Sequence, residues 1–225
     1  MPKPPRRPAP TARPRIGLVL GAGGVLGGAW LAGALTAVQE RLPCPAGEVD
    51  LIVGTSAGSV LAAALRSGVG VDEMVAHQRG ASLAALPGIA DLDREGGPLP
   101  PLPRLRIGAP RLAFGTAVAP HRVHPWVAAS AWVLEGRRTL RSLAALVRAL
   151  AAAGAPVWPA AETWIMAVDY GAGRRVAFGR MGAPVAPLAD AVVASCSIPG
   201  WYQPKPSTDA AMSTAGSGRA RRWTC

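Results

Sequence analysis

The chain has 225 residues and a mass of 23.0 kDa, the size of one domain and not of two independent ones. Half of it is hydrophobic and only 16% is charged, so it can bury a core and is not a disordered chain. Its 27 glycines follow no period, which excludes a collagen-like repeat. Much of the net charge of +11 sits at the ends, in Lys3, Arg6, Arg7, Arg13 and Arg15 at the start and Lys205, Arg219, Arg221 and Arg222 at the finish. Such tails attract nucleic acid or anionic lipid without selectivity. No basic–aromatic alternation accompanies them, so no specific nucleic-acid partner is expected. Cys44, Cys196 and Cys225 form no C-x-x-C pair. That leaves neither a disulfide framework nor a zinc knuckle and sets a reducing, cytoplasmic compartment as the default.

Residues 1–14 are Pro- and Arg-rich and read as a disordered basic lead-in. Ile16 to Val38 carries no charge and is long enough to span a membrane. Its seven glycines instead divide it into a strand, a loop and a helix, and it lacks the compact apolar block and cleavage site of a signal peptide. Arg15–Leu20 is a predicted buried strand, followed by a glycine loop and a helix to about Gln39. Asp50–Val53 is a second buried strand, Gly54–Gly58 a sharp turn, and Ser59–Arg66 a small-residue helix. Val71–Gln78 reads as helix, with Asp72 and Glu73 favourable in its first turn. Gly88 to Pro125 is Pro-rich, with P-L-P-P-L-P at 98–103, and reads as a surface excursion or lid. Thr139–Ala153 is an amphipathic helix with Leu140, Leu143, Leu146, Val147 and Leu150 on one stripe and Thr139 as its cap. Thr163–Asp169 and Arg175–Phe178 read as a strand pair, and Ala186–Cys196 as a helix running into Ile198, Pro199 and Gly200. Trp30 and Trp201 read as core aromatics. Alternating strands and helices mean an α/β fold with a mainly parallel sheet.

The chemistry gathers at the second strand. Gly54, Thr55, Ser56, Ala57 and Gly58 spell G-x-S-x-G between a predicted strand and a predicted helix. In that context the serine is a nucleophile raised on a strained elbow, at a helix N-terminus that favours developing negative charge; the alternative is an ordinary tight turn. The first glycine segment, G-A-G-G-V-L-G at 21–27, supplies consecutive N–H groups for an oxyanion hole. A dinucleotide fingerprint fails there, because Leu26 takes the place of its last glycine, and no G-K-[ST] follows to make a phosphate loop. The histidines are His77, His121 and His124, with none after the last strand pair, where a Ser-Asp-His hydrolase places its own. No conventional triad is expected, and no metal or cofactor site.

A glycine loop after strand one, G-T-S-A-G after strand two and the absence of a well-placed histidine together resemble the patatin-like phospholipases. L-V-L-G-A-G-G-V-L-G-G-A-W (18–30) is similar to that family's oxyanion segment, and A-S-C-S-I-P-G-W-Y-Q-P (194–204) to the stretch before its catalytic aspartate. The resemblance covers about Arg15 to Pro204 and implies a hydrolase domain at 15–204, with a three-layer α/β fold around a mainly parallel sheet. It implies a Ser–Asp dyad that cleaves lipid acyl esters through an acyl-enzyme, without metal, cofactor or histidine. Carried over, Ser56 is the nucleophile, Gly54, Thr55, Ala57 and Gly58 form its elbow, and Gly23, Gly24 and Val25 line the oxyanion hole. Leu26 stands where the family usually has Arg or Lys, which puts anionic-headgroup contacts in doubt. The implied partners are a lipid or acyl-ester substrate and, at the periphery, anionic membranes.

The family's aspartate lies in D-G-G or D-G-A. Here Asp209, in T-D-A-A, is the only aspartate beyond Pro204 and the only base candidate. Residues 205–225 form an atypical tail with no strand pattern. Reading the codons of Thr208 to Ser217 from each third base admits G-R-R-Y-V-D-G-G-V, with D-G-G at about the expected distance. On that reading the frame slips near Pro204, and the chain is an incomplete, inactive member whose lost strand exposes a sheet edge. The alternative is a non-catalytic protein of lipid surfaces, using the Pro-rich excursion, Trp126, Trp132 and the basic ends. A small-molecule phosphate binder is a more distant third.

Overall fold

The computed structural model describes residues 14–81, 104–107, 110–118, 132–137, 139–152, 158–170, 173–203, 205–206 and 222–224, with the single positions 125 and 129. In chain order the elements are β1 (Gly17–Leu20), α1 (Gly24–Gln39), a 3-10 turn (Ala46–Glu48), β2 (Leu51–Thr55), α2 (Ala57–Arg66), α3 (Val71–Gln78), β3 (Arg104–Ile107), α4 (Pro110–Val118), β4 (Leu134–Glu135), α5 (Arg141–Ala152), β5 (Glu162–Asp169), β6 (Arg174–Phe178), α6 (Leu188–Cys196), β7 (Lys205–Pro206) and β8 (Arg222–Thr224).

Three parallel strands set the architecture. β1 pairs with β2, Leu20 opposite Gly54, and β2 pairs with β5, Thr55 opposite Met166. β6 joins the far edge of β5 antiparallel. The alternation along β5 buries Thr163, Ile165, Ala167 and Asp169 on one face, the period-two signature of a strand with one covered side. α2 is built almost wholly of small residues and leucine. Ala62 lies close over Gly54 of β2, and Leu61, Ala63 and Leu65 are buried in the core as α2 packs on β2 and α6. The run from Ile16 to Val38 resolves into β1, a loop and α1, and no helix among the described residues is long and apolar enough to cross a membrane.

The departures from the sequence reading have local causes. The glycine loop is only Gly21–Gly23, since α1 already begins at Gly24. The first bond of α5 runs from the Ala144 N–H to the Leu140 carbonyl, so the cap position falls on Leu140 and not Thr139. α6 starts at Leu188 because Pro187 keeps an extended ψ of 145° and biases Ala186 away from helix. The Pro-rich excursion contains secondary structure of its own: β3 pairs with β4, and α4 buries Ala113 and Thr116. The segment 98–103 lies outside the described residues. Trp30 is 71% exposed and Trp201 about half exposed, so neither is a core residue. The tail is not without strands, for β7 pairs with β8 and β8 with Val168 and Asp169 of β5. Those two residues also pair with β6, so β8 occupies the β2 side of β5 just beyond the point where β2 turns away. Backbone pairing needs only unpaired N–H and C=O groups on a strand edge, not a hydrophobic pattern.

One cation ties this sheet to α2. The half-buried Arg66 donates from Nε to Thr163 Oγ1 at 2.9 Å, from one terminal nitrogen to the carbonyls of Gly47 and Val49 at 2.6 and 3.0 Å, and from the other to the Glu162 carbonyl at 2.9 Å. Desolvation lowers its pKa from the ordinary value. Elsewhere, burial and the neighbouring Glu135 carboxylate push the Tyr170 phenol up to about 12, which keeps it a neutral donor. Arg66→Ala strands several carbonyls, and it is expected to cost about 2–3 kcal/mol in urea unfolding. Arg66→Lys lacks the planar fork and should recover about half of that at most. A loss below about 0.5 kcal/mol in the alanine variant would contradict this role.

Candidate active site

Because β1 and β2 run parallel and level, the chain leaves both on the same sheet edge, the carboxyl edge where α/β folds gather their ligand-binding loops. After β1 comes the loop 21–23; after β2 comes Ser56. The two are joined directly: the Gly58 N–H donates to the Gly21 carbonyl at 3.1 Å. The glycines of the motif serve this approach. A Cβ on Gly58 would fall on the Leu20 carbonyl, and one on Gly54 would lie 2.7 Å from both the Gly58 oxygen and the Ser59 Cα. Thr55 ends the strand and Ala57 begins the helix, each half-buried.

Ser56 has φ 51° and ψ −119° and is the only non-glycine residue with positive φ among those described. That conformation costs of order 1–3 kcal/mol for a residue with a Cβ. Its backbone is held on both sides. The N–H donates to Ser195 Oγ at 2.8 Å, and the carbonyl accepts from Ser59 Oγ at 2.6 Å and from the amides of Ser59 and Val60 at 2.8 and 3.3 Å. The hydroxyl makes no capping bond to α2, so the half-buried side chain is not spent on holding the helix.

The expected oxyanion donors take a different form from a flat loop. Gly23 is the N-cap of α1, and the first amide bonded back into the helix is Gly27, to the Gly23 carbonyl at 2.9 Å. Gly24 and Val25 thus occupy the first turn, where amides have no acceptor within the helix and the macrodipole is positive. In this turn the side chains of Val25 and Leu26 are strongly exposed. The sheet brings the loop and the G-x-S-x-G turn together. Asp209, His121, His124 and Trp126 lie outside the described residues. His77 sits at the end of α3 with Nδ1 3.1 Å from the Ala81 carbonyl.

Sequence reasoning missed the groups that hold the turn. Ser195 Oγ, which receives the Ser56 N–H, itself donates to the Met166 carbonyl at 2.6 Å. Ser59 Oγ lies 3.8 Å from Cys196 Sγ. The signal available was a run of polar side chains, at 195–197, closing a helix that apart from Asp190 is otherwise Ala, Val and Leu.

An α/β protein with a strained serine turn beside a helix N-terminus is thereby defined, and comparison with known families narrows it. The family model of patatin-like phospholipase matches residues 18–213. The chain belongs to the patatin-like phospholipase family. Membership accounts for the α/β fold and places the chain among lipid acyl hydrolases in general, with lipids or other acyl esters as the substrate class. No curated protein gives a significant match.

The close approach at Gly58 yields a contrast. Gly58→Ala must push α2 off the end of β1 and is expected to cost about 3 kcal/mol or more. Gly33→Ala, where an added Cβ meets nothing within 4 Å in the middle of α1, should stabilise by about 0.5–1 kcal/mol. Urea unfolding of the two variants beside the parent reads both effects; equal stabilities would contradict the packing described.

Proposed function

We propose that the chain hydrolyses acyl esters of lipids with Ser56 as the nucleophile. The observation that carries this reading is the positive φ at Ser56, a strained conformation that lifts a hydroxyl to the sheet edge beside the first turn of α1. Ser56 Oγ attacks the ester carbonyl carbon, and its proton passes to a carboxylate, for which Asp209 is the candidate. The carbonyl oxygen becomes an oxyanion facing the amides of Gly23, Gly24 and Val25. Collapse of the tetrahedral species breaks the bond to the alcohol oxygen, which leaves with that proton. Water then attacks the acyl-enzyme, gives its proton to the same carboxylate, and the fatty acid departs as Ser56 is regenerated. Asp209 is the one aspartate in the sequence after the segment 194–204, which resembles the stretch before the family's catalytic aspartate, and this supports it in the role.

A second reading is favoured by the apolar start of α1, where Leu26 is 85% exposed and Val25 and Trp30 are exposed with it. On that reading the chain rests on lipid surfaces without turning them over, since a missing base forfeits about 10²–10⁴ in rate. The two separate cleanly. For the hydrolase, Ser56→Ala is expected to abolish p-nitrophenyl butyrate hydrolysis, and Asp209→Asn to lower kcat by about 10²–10⁴. Turnover unchanged in Ser56→Ala would sink the assignment. Flotation with phosphatidylglycerol vesicles in the absence of any ester hydrolysis would favour the surface-binding reading.

A further inference from the structure

The elbow strain has to be held from outside the turn, and the hydrogen bonds say from where. β2 and β5 are in register up to Thr55 and Met166, after which β2 turns out and its next amide, that of Ser56, leaves the ladder. That amide points at Ser195 Oγ, 2.8 Å away, in the last turn of α6. The same oxygen donates at 2.6 Å to the carbonyl of Met166, the residue opposite Thr55. A hydroxyl is suited to this position because one atom both accepts and donates, whereas alanine would leave a donor and an acceptor unsatisfied. Ser195 is 0% exposed, so water does not readily substitute for it.

The opposite side of residue 56 is tied to the same helix turn. Ser59 Oγ spends its single proton on the Ser56 carbonyl at 2.6 Å. The same hydroxyl lies 3.8 Å from Cys196 Sγ. Adjacent residues of α6 thus reach both the N–H and, through Ser59, the C=O of the strained residue.

We infer that Ser195 is a positioning residue for the reaction at Ser56, clamping the Ser56 amide to the end of β5 so that the elbow keeps its strained geometry and the hydroxyl its aim. This rests on Ser56 being the nucleophile. Ser195 touches no substrate. Its loss should act on the chemical step and not on ester binding, because a small misplacement of a reacting group costs rate steeply.

The test compares the parent with Ser195→Ala and with Ser195→Cys, which keeps the volume but weakens the bonds, and measures steady-state kinetics with p-nitrophenyl butyrate. Hydrogen exchange at the Ser56 amide is followed in the same proteins. The expected result in Ser195→Ala is a kcat about 10²-fold lower with KM within about twofold, and exchange at Ser56 faster by on the order of 10² while the rest of β2 stays protected. Ser195→Cys should fall between the two, and decides the matter if the alanine variant does not fold. A kcat within about twofold of the parent in the variants, or exchange at Ser56 that does not change, would overturn the inference. Hydrolysis that survives Ser56→Ala would instead overturn the nucleophile reading, while the exchange data still decide whether the clamp exists.

Discussion

Everything near the candidate site depends on residue 56 being held at φ 51°. A serine left to itself avoids that region, at a cost of about 1–3 kcal/mol, so neighbouring structure must more than offset the strain. α2 does so: Leu61 and Leu65 are buried in the core with Ala62 and Ala63, and two buried leucines alone contribute about 3–6 kcal/mol. The helix can be seated there only because Gly58 lets its first turn touch the end of β1. A glycine at 56 would adopt the same φ with far less strain. The chain places there a residue whose side chain is not used to cap the helix.

The same constraint joins the two halves of the site. Parallel pairing of β1 and β2 brings the N-terminus of α1 beside the turn, so amides without helical acceptors and a strained hydroxyl share one sheet edge. β5 supplies the platform on the other side, and α6 closes on it through Ser195. Arg66 holds the far end of α2 to the start of β5 through Thr163 and Glu162, and to the segment before β2 through the carbonyls of Gly47 and Val49. α2 is therefore fixed at its N-terminus by the elbow and at its C-terminus by a guanidinium, which leaves it little freedom to relax the strain by sliding.

Much of this was legible in the amino-acid sequence, for identifiable reasons. The runs D-L-I-V at 50–53 and W-I-M-A-V at 164–168 carry strong strand patterns, and G-x-S-x-G acquires meaning from lying between a strand and a small-residue helix. The glycines at 23 and 24 concealed the true start of α1: glycine is a poor helix former, yet the first turn of a helix tolerates it when the following residues pack, as Ala32 and Leu35 do. The Ser56–Ser195 bond was not legible because its partners are 139 residues apart, and the polar residues that close α6 do not announce which distant amide they serve. The strands at 205–206 and 222–224 were missed because they pair through backbone, 222–224 on the edge that β2 vacates and 205–206 on 222–224. Trp30 misled for a simpler reason, since size and apolarity favour burial on average but do not enforce it.

The most direct test of the central claim is to react the folded protein with a fluorophosphonate carrying an alkyl chain and locate the adduct by mass spectrometry. Ser56 lies with Ser59 on the tryptic peptide 42–66, and fragmentation between them distinguishes the two serines. The account predicts a single adduct on Ser56, lost on denaturation before labelling and lost in Ser56→Ala. An adduct on another serine, or labelling no greater than that of the denatured chain, would contradict it.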